Sequence, residues 1–282
     1  MKHDQYSARS GFGINALLLA CLLGLLPLAA SASTLQSSGV NLGEAGPDHH
    51  EWAIFSLGGG VSDTDTFTNG ATITGDVGVA GTGNVSLNGG ASIHGTLDYH
   101  TGGHFSTANG ATITGGTVSN SSEDAILNQG LSDAVTASAA AYALSASVGY
   151  PTTINANSSL TLTGSGTVVL KLTDFMLSSG ATLTLDGSAG TTFIIDVSRN
   201  FSLTNGSQIL LAGGVQWNNV LFNVVGSGSA SFSGSKGFHG ILLAPNRTVS
   251  LLNGDTVSGE IIANKVALTG GSKVSRPPVV SP

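Results

Sequence analysis

The chain has 282 residues, of which only 9% are charged and 41 are glycine, and its formal net charge at pH 7 is −7. Sixteen acids against nine bases, with no basic run, argue against binding to a nucleic-acid backbone, which needs clustered Lys and Arg. Sparse charge marks disorder in many chains, but here 40% of the residues are apolar and they alternate regularly, so a core can form.

Residues 1–32 read as an export signal: Lys2 and Arg9, an apolar run from Ala16 to Leu28, then Ala30-Ser31-Ala32 as a cleavage site. The expected mature chain starts near Ser33 and is secreted, with seven bases and fifteen acids once Lys2, Arg9 and Asp4 are removed. The single cysteine, Cys21, lies inside the signal, so disulfides are not expected. No later segment approaches the roughly 20 apolar residues of a membrane span. Ser33–Glu51 holds a short leading strand, Val40-Asn41-Leu42-Gly43, and a polar patch with His49 and His50. Trp52–Leu57 is a compact apolar strand, and Gly58-Gly59-Gly60 ends it.

A repeat then sets the plan. Gly70-Ala71-Thr72-Ile73-Thr74-Gly75, Gly90-Ala91-Ser92-Ile93-His94-Gly95 and Gly110-Ala111-Thr112-Ile113-Thr114-Gly115 begin twenty residues apart, the spacing a solenoid leaves in a sequence. Ile73, Ile93 and Ile113 point inward, and the flanking hydroxyls outward, about 4.8 Å apart from coil to coil. Two further strand types cycle with the repeat: Trp52–Leu57, Asp76–Ala80 and Thr96–His100, then Thr66–Thr68, Asn84–Leu87 and Gly103–Thr107. Asn-Gly or Gly-Gly at the corners supplies positive φ. Three strands per coil predict a triangular cross-section.

The period changes once. Ser122–Val148 carries early acids at Glu123 and Asp124, and Leu127, Leu131, Val135 and Tyr142 recur at helical spacing beside Ala134, Ala141 and Val148. Such a helix spans about 37 Å, the height of seven or eight coils. Past Pro151 the coils return with near-continuous apolar runs, among them Val168–Leu172, Phe193–Val197, Val220–Val224, Ile241–Ala244 and Ile261–Ala263. Strands of that kind are buried on both sides, so the helix is expected to cover them. Lys171 and Asp196 stand in this strand type and are expected to neutralise each other. Arg276–Pro282 reads as a polyproline-like tail after a solenoid over 33–275. The expected fold is mainly β: a right-handed parallel β-helix of triangular cross-section with one long α-helix along a face.

On Val40–Gly46, Ile73–Val79, the helix Ser122–Val148, Thr192–Ile195 and Gly213–Val220, nearly all of the mature chain resembles the bacterial and fungal ice-binding-like family. The resemblance implies a discontinuous β-solenoid with a helix along one side and an ice crystal surface as partner. Phe238–Asn246 and Val257–Ala263 also resemble choice-of-anchor A surface domains, which implies an adhesive module for an extracellular polymer or protein.

The candidate ice-binding array is Thr72, Thr74, Ser92, Thr112, Thr114, Thr182, Thr184, Thr256 and Ser258. The second open face offers Thr68, Ser86, Thr107, Ser202, Thr204, Ser250 and Thr269 as an alternative. Threonine presents a methyl and a hydroxyl on a χ1-restricted stem, so a rank of them can order water with little entropy left to lose. Threonine and serine are also ordinary residues of strand surfaces. His94, His100 and His104 lack the Cys or carboxylate neighbours of a metal site, and no cofactor motif is present. Asp174, Asp186, Asp196, Asp255 and Glu260 are scattered singly, without the paired carboxylates of glycoside cleavage, so no enzyme is expected. A monomer is expected. Among aromatics, Phe67, Tyr99 and Trp217 are the candidates for exposure.

Overall fold

The computed structural model describes residues 52–58, 60 and 63–279; the export signal, the leading strand at Val40–Gly43 and the last residues of the Pro-rich tail lie outside them. The chain forms a right-handed β-solenoid whose parallel strands stack into three ladders, one per side of a triangle. On the first side the order is Thr167–Leu172, Thr192–Val197, Val220–Val224, the middle segments of Phe238–Leu252 and Thr256–Leu268, then Trp52–Ser56, Asp76–Val79, Leu97–Tyr99 and Thr117–Val118. The coils are therefore out of sequence order. The earliest described coil sits on the last one, with Ile54 opposite Ile261, Phe67 opposite Leu268 and Ile73 opposite Val274.

This seam is sealed on every side. Leu57 and Gly58 donate their N–H groups to the carbonyls of Ala263 and Asn264, and Thr72 donates to Ser272. Arg276, counted with the tail in the sequence, is buried at the seam, where its N–H donates to the Thr74 carbonyl at 3.1 Å and its guanidinium lies over the Trp217 ring. Inside, Asp65 accepts the Val266 N–H at 2.6 Å.

The helix Ser121–Ala143 runs from the Thr117–Val118 end of the first side toward Thr167–Leu172. Its 23 residues measure about 35 Å, close to the roughly 38 Å of nine stacked strands. Asn120 caps it by accepting from the N–H groups of Ser122 and Glu123 at 2.9 and 3.0 Å. Asp124 in the first turn accepts from the Thr101 N–H and hydroxyl at 2.8 and 2.6 Å, tying that turn to a coil.

Two details of the expected helix are corrected. It stops at Ala143, not Val148, because the chain beyond Leu144 turns extended and pairs with the terminal strand: Ser147 donates its N–H to the Val169 carbonyl and accepts the Val169 N–H on its hydroxyl. Its buried stripe is Leu127, Ala134, Ala137 and Ala141, while Val135 and Tyr142 stand 50% and 52% exposed. Past Leu127 the inner face is alanine because the helix there lies too close to the sheet to admit large residues. A Cβ placed on Gly130 would come within 2.9 Å of the Phe55 ring.

The expected covering is borne out: Trp52, Phe55, Val169, Ile194, Leu221, Ile241, Leu243 and Ile262 form a second apolar cluster with the helix, separate from the solenoid interior. A polar chain fixes the helix along this apolar wall. Lys171 bonds Asp196 at 2.6 Å, as expected, and also donates to the carbonyls of Ala141 and Tyr142 at the helix C-terminus. Asn223 donates to Asp196 at 2.6 Å and to the Ser138 carbonyl at 3.0 Å, and accepts the Ser138 hydroxyl at 2.6 Å.

Burial pushes the Asp65 carboxyl up from 3.8 to about 7, with the Ser56 hydroxyl and the Val266 N–H opposing the shift. A folded pKa raised above the unfolded one favours the fold at low pH, and this contribution is lost as pH rises from about 4 through about 7. The full change corresponds to roughly 4 kcal/mol. Buried Asp255 titrates in the same sense, whereas Asp174 and Asp124 are lowered and act oppositely. The informative quantity is therefore the difference between variants: urea midpoints measured from pH 4 to pH 8 should gain for Asp65→Asn relative to the unmodified chain as pH rises. Parallel pH profiles for the two would contradict the assignment.

Candidate functional site

Two sides of the triangle remain open. On both, buried and outward residues alternate, so each strand contributes short outward columns that run along the stack.

The second side is one uninterrupted ladder of nine strands: Ile154–Ala156, Phe175–Leu177, Phe201–Thr204, Ser229–Ser233, the trailing arms of Phe238–Leu252 and Thr256–Leu268, Thr64–Phe67, Asn84–Leu87 and His104–Thr107. Its central outward column reads Asn155, Met176, Ser202, Ser231, Ser250, Ala267, Thr66, Ser86 and Ser106. No member is charged. The next column includes Thr204, Ser233 and Leu252, then Thr269 and Thr68, whose hydroxyls bond each other across the seam at 3.1 Å. Ser202, Ser231, Ser250 and Ser86 are half-buried, and their hydroxyls take no protein partner among the described residues, which leaves them for water.

Of the candidates on this side, Thr68, Ser86, Ser202, Thr204, Ser250 and Thr269 all stand outward. Thr107 is a correction. It is in register with Leu87 and belongs to the inner row, exposed only because its coil is the last; the outward residue there is Ser106.

The third side carries the nine residues of the first array, together with His94, in two columns. Thr182, Thr256, Thr72, Ser92 and Thr112 stand in one, and Thr184, Ser258, Thr74, His94 and Thr114 in the other. Thr161, paired with Thr184, and Thr163, paired with Asp186, extend the array; the sequence reading missed their strand, Leu160–Thr163. The array is nevertheless divided. Leu160–Thr163, Thr182–Asp186 and Gln208–Ala212 form a separate small sheet, joined to the remainder by a single bridge between Gln208 and Gly237. Lys273 stands in the first column between Thr256 and Thr72, and Asp186 rises beside Thr184. Thr256 turns its hydroxyl to the Lys236 carbonyl at 2.8 Å, and Gln208 donates to the Thr182 hydroxyl at 3.1 Å. Burial holds the His239 imidazole below its ordinary pKa, so that half-buried ring adds no charge at neutral pH.

The aromatics are placed differently from expectation. Phe67 and Trp217 are buried, while Phe105 at the end coil and Tyr142 on the helix are exposed. In the interior, Phe175, Phe201 and Phe232 from the second side meet Phe222 from the first and Phe238 from the third in one pile, with Phe201 5.2 Å from Phe175, 5.9 Å from Phe222 and 5.6 Å from Phe232. The carboxylates hold structure. Asp174 pairs with Arg199 at 2.6 Å, Asp255 accepts from the Ser235 N–H and hydroxyl, and Trp52 donates to Asp98. Among the described residues no group of three His, Cys, Asp or Glu could hold a metal ion, and no helix is long and apolar enough to cross a membrane.

A discontinuous solenoid with one wall under a helix and two hydroxyl-rich walls facing water defines a surface-recognition protein of the ice-binding-like architecture. Residues 51–274 match the family described as "Putative Ice-binding-like adhesive domain", and the chain belongs to that family. The fold is similar to that of an ice-binding protein from an Antarctic biological consortium, 25% identical over 89% of this chain and 96% of that one, with a TM-score of 0.54. It is also similar to ice-binding protein 1 of Shewanella frigidimarina (19% identity, 88% and 100% of the two chains, TM-score 0.54). A third similar structure is the ice-binding protein of the Antarctic ascomycete Antarctomyces psychrotrophicus (20%, 86% and 98%, TM-score 0.51). No curated protein matches the chain.

Three of the five phenylalanines in the pile are the inward residues of second-side strands. Phe201→Ala should destabilise the chain by about 3–5 kcal/mol and Phe201→Leu by clearly less. Urea unfolding measures both. Equal, small losses would mean the pile does not support the face.

Proposed function

We propose that this chain, exported through its N-terminal signal, adsorbs to ice through the second open side and performs no chemistry. One observation carries the reading: nine strands in continuous register present a central outward column of uncharged residues, five of them serine, from Asn155 through Ser231 and Thr66 to Ser106. Ice offers a repeating lattice, so recognition needs repetition over a wide area more than any single strong contact. Half-buried serines and threonines have few rotamers left to lose, so the water they order costs little additional entropy. The third side, where the first array lies, is a weaker candidate because its sheet is broken at Gly237 and Lys273 and Asp186 interrupt its ranks, whereas the charge on the second side, Lys265, stands beside Thr248 in a flanking column. A hydrated charge does not fit a lattice of neutral water.

The relatives named above are ice-binding proteins, which supports ice as the partner. The family description also contains the word adhesive. Recognition of a polymer or protein instead of ice would draw on exposed aromatics, and the exposed Phe105 and Tyr142 lie at the end coil and on the helix, away from the middle of the open sides.

Crystal-growth microscopy on the purified mature chain tests the assignment with two sets of variants. Thr66→Tyr, Ser231→Tyr and Ser250→Tyr should each remove most of the growth inhibition. Thr72→Tyr, Thr114→Tyr and Thr184→Tyr should retain it, with circular dichroism unchanged throughout. Ordinary crystal growth with the unmodified chain would reject ice binding. Loss confined to the second set would move the site to the third side.

A further inference from the structure

At the corners between the second and third sides, the chain repeatedly uses Asn-Gly. Asn69-Gly70, Asn109-Gly110, Asn205-Gly206 and Asn253-Gly254 share one conformation: the asparagines have φ of 52°, 51°, 52° and 63°, and the glycines 76°, 79°, 77° and 78°. In chemistry and backbone they are four copies of one motif. They differ in how each turn is held.

Gly70 donates to the Gly89 carbonyl at 2.9 Å and Gly206 to the Gly234 carbonyl at 2.6 Å, each a bond to a neighbouring coil. The Gly254 N–H, like that of Gly110, has no acceptor among the described residues, but the Asn253 turn is clamped on either side by the buried Asp255 carboxylate, which accepts the Leu252 and Ser235 N–H groups, each at 2.6 Å. Gly110 belongs to the last coil. Its N–H has no acceptor among the described residues, and nothing lies within 4 Å of where its Cβ would be. A fifth pair, Asn88-Gly89, falls one residue earlier in its turn. There the Asn88 N–H is bonded to the Phe67 carbonyl, and Gly89 is packed so that a Cβ would meet the Asn69 nitrogen at 3.2 Å.

From this we infer that Asn109 is a site of spontaneous deamidation in the folded protein, set apart from its four sequence equivalents by its place on the open end of the stack. The Gly110 amide nitrogen loses its proton to solvent base and attacks the Asn109 Cγ. The Cγ–Nδ2 bond breaks and ammonia leaves, closing a succinimide ring. Water then adds to one or other ring carbonyl and opens the ring to aspartate or isoaspartate. Asn69 and Asn205 can follow the same course only after an inter-coil hydrogen bond is released. The product carries a new negative charge at the rim of both open sides. It also removes the donor of the 2.7 Å bond from Asn109 Nδ2 to Asn88 Oδ1, which ties the last coil to its neighbour.

Peptide mass spectrometry on the mature chain, aged at mildly alkaline pH, measures all five sites in one experiment. In the folded protein Asn109 should convert about ten-fold faster than Asn69 or Asn205, the factor expected for freeing one net hydrogen bond. In urea, where no coil exists, the sites should converge. Asn109→Gln should abolish the early acidic species seen on ion exchange, which reads the site independently of proteolysis. Equal rates across the folded sites, or faster conversion at any of the other four, would overturn the proposal.

Discussion

Coil-on-coil hydrogen bonding closes across a gap in sequence, and the rest of the structure depends on that closure. Ser56 reaches the Asn264 carbonyl across 208 residues, and Asp65 holds the Val266 N–H across 201. The entropic cost of closing so long a loop grows only slowly with its length, so the stability of the seam is not limited by separation. Its formation is a different matter, because long-range parallel pairing rewards the chain only after both partners are in place. The buried Asp65 therefore stands at a position of consequence. Neutral, it fills a gap in the core; ionised, it is a charge inside the one joint that chain connectivity does not hold together.

The helix follows from the same closure. The chain leaves the coils at Val118 on one end of the stack and must re-enter at Ile154 on the other, so some element has to travel the full height. A helix does this while satisfying its own backbone, which an extended segment crossing the side chains of the wall could not. An apolar helix face on an apolar wall has no preferred position along that wall, and the chain from Ser138 through Asn223 and Asp196 to Lys171 supplies one. Lys171 also ends the helix electrostatically, since its ammonium sits on the last carbonyls where the helix dipole is negative.

Much of this was legible in the sequence. The twenty-residue spacing of Ile73, Ile93 and Ile113 set the coil, the unbroken apolar runs marked the covered wall, and Lys171 with Asp196 stood out as a pair. The rest was hidden for physical reasons. Nothing local distinguishes Val274 from Ile93 as a neighbour for Ile73, since both are β-branched or similar residues in equivalent strands, so the order of coils could not be read. Residues 226–237, by composition a Gly/Ser linker, contain the strand Ser229–Ser233, whose inward Ala230 and Phe232 are too few to show a pattern. The helix stripe is written in alanine, which says little about burial until the closeness of the sheet is known. Thr107 misled because the inner row of an end coil need not be apolar.

Which side can recognise an extended surface is decided by the interior more than by the hydroxyls themselves. Both open sides are rich in threonine and serine, and the third has more threonine. Its ladder fails where Gly234–Lys236 turns instead of continuing as a strand, and that turn is fixed from within by Asp255, which takes the Ser235 N–H and hydroxyl. From the second side the same coil places Phe232 on the aromatic pile, between Phe201 and Phe238, the residue at which the third-side ladder resumes after the turn. The strand above it is held in register where its neighbour on the third side is not. Continuity of the outer column is thus a consequence of core packing, and a count of threonines along the sequence cannot detect it.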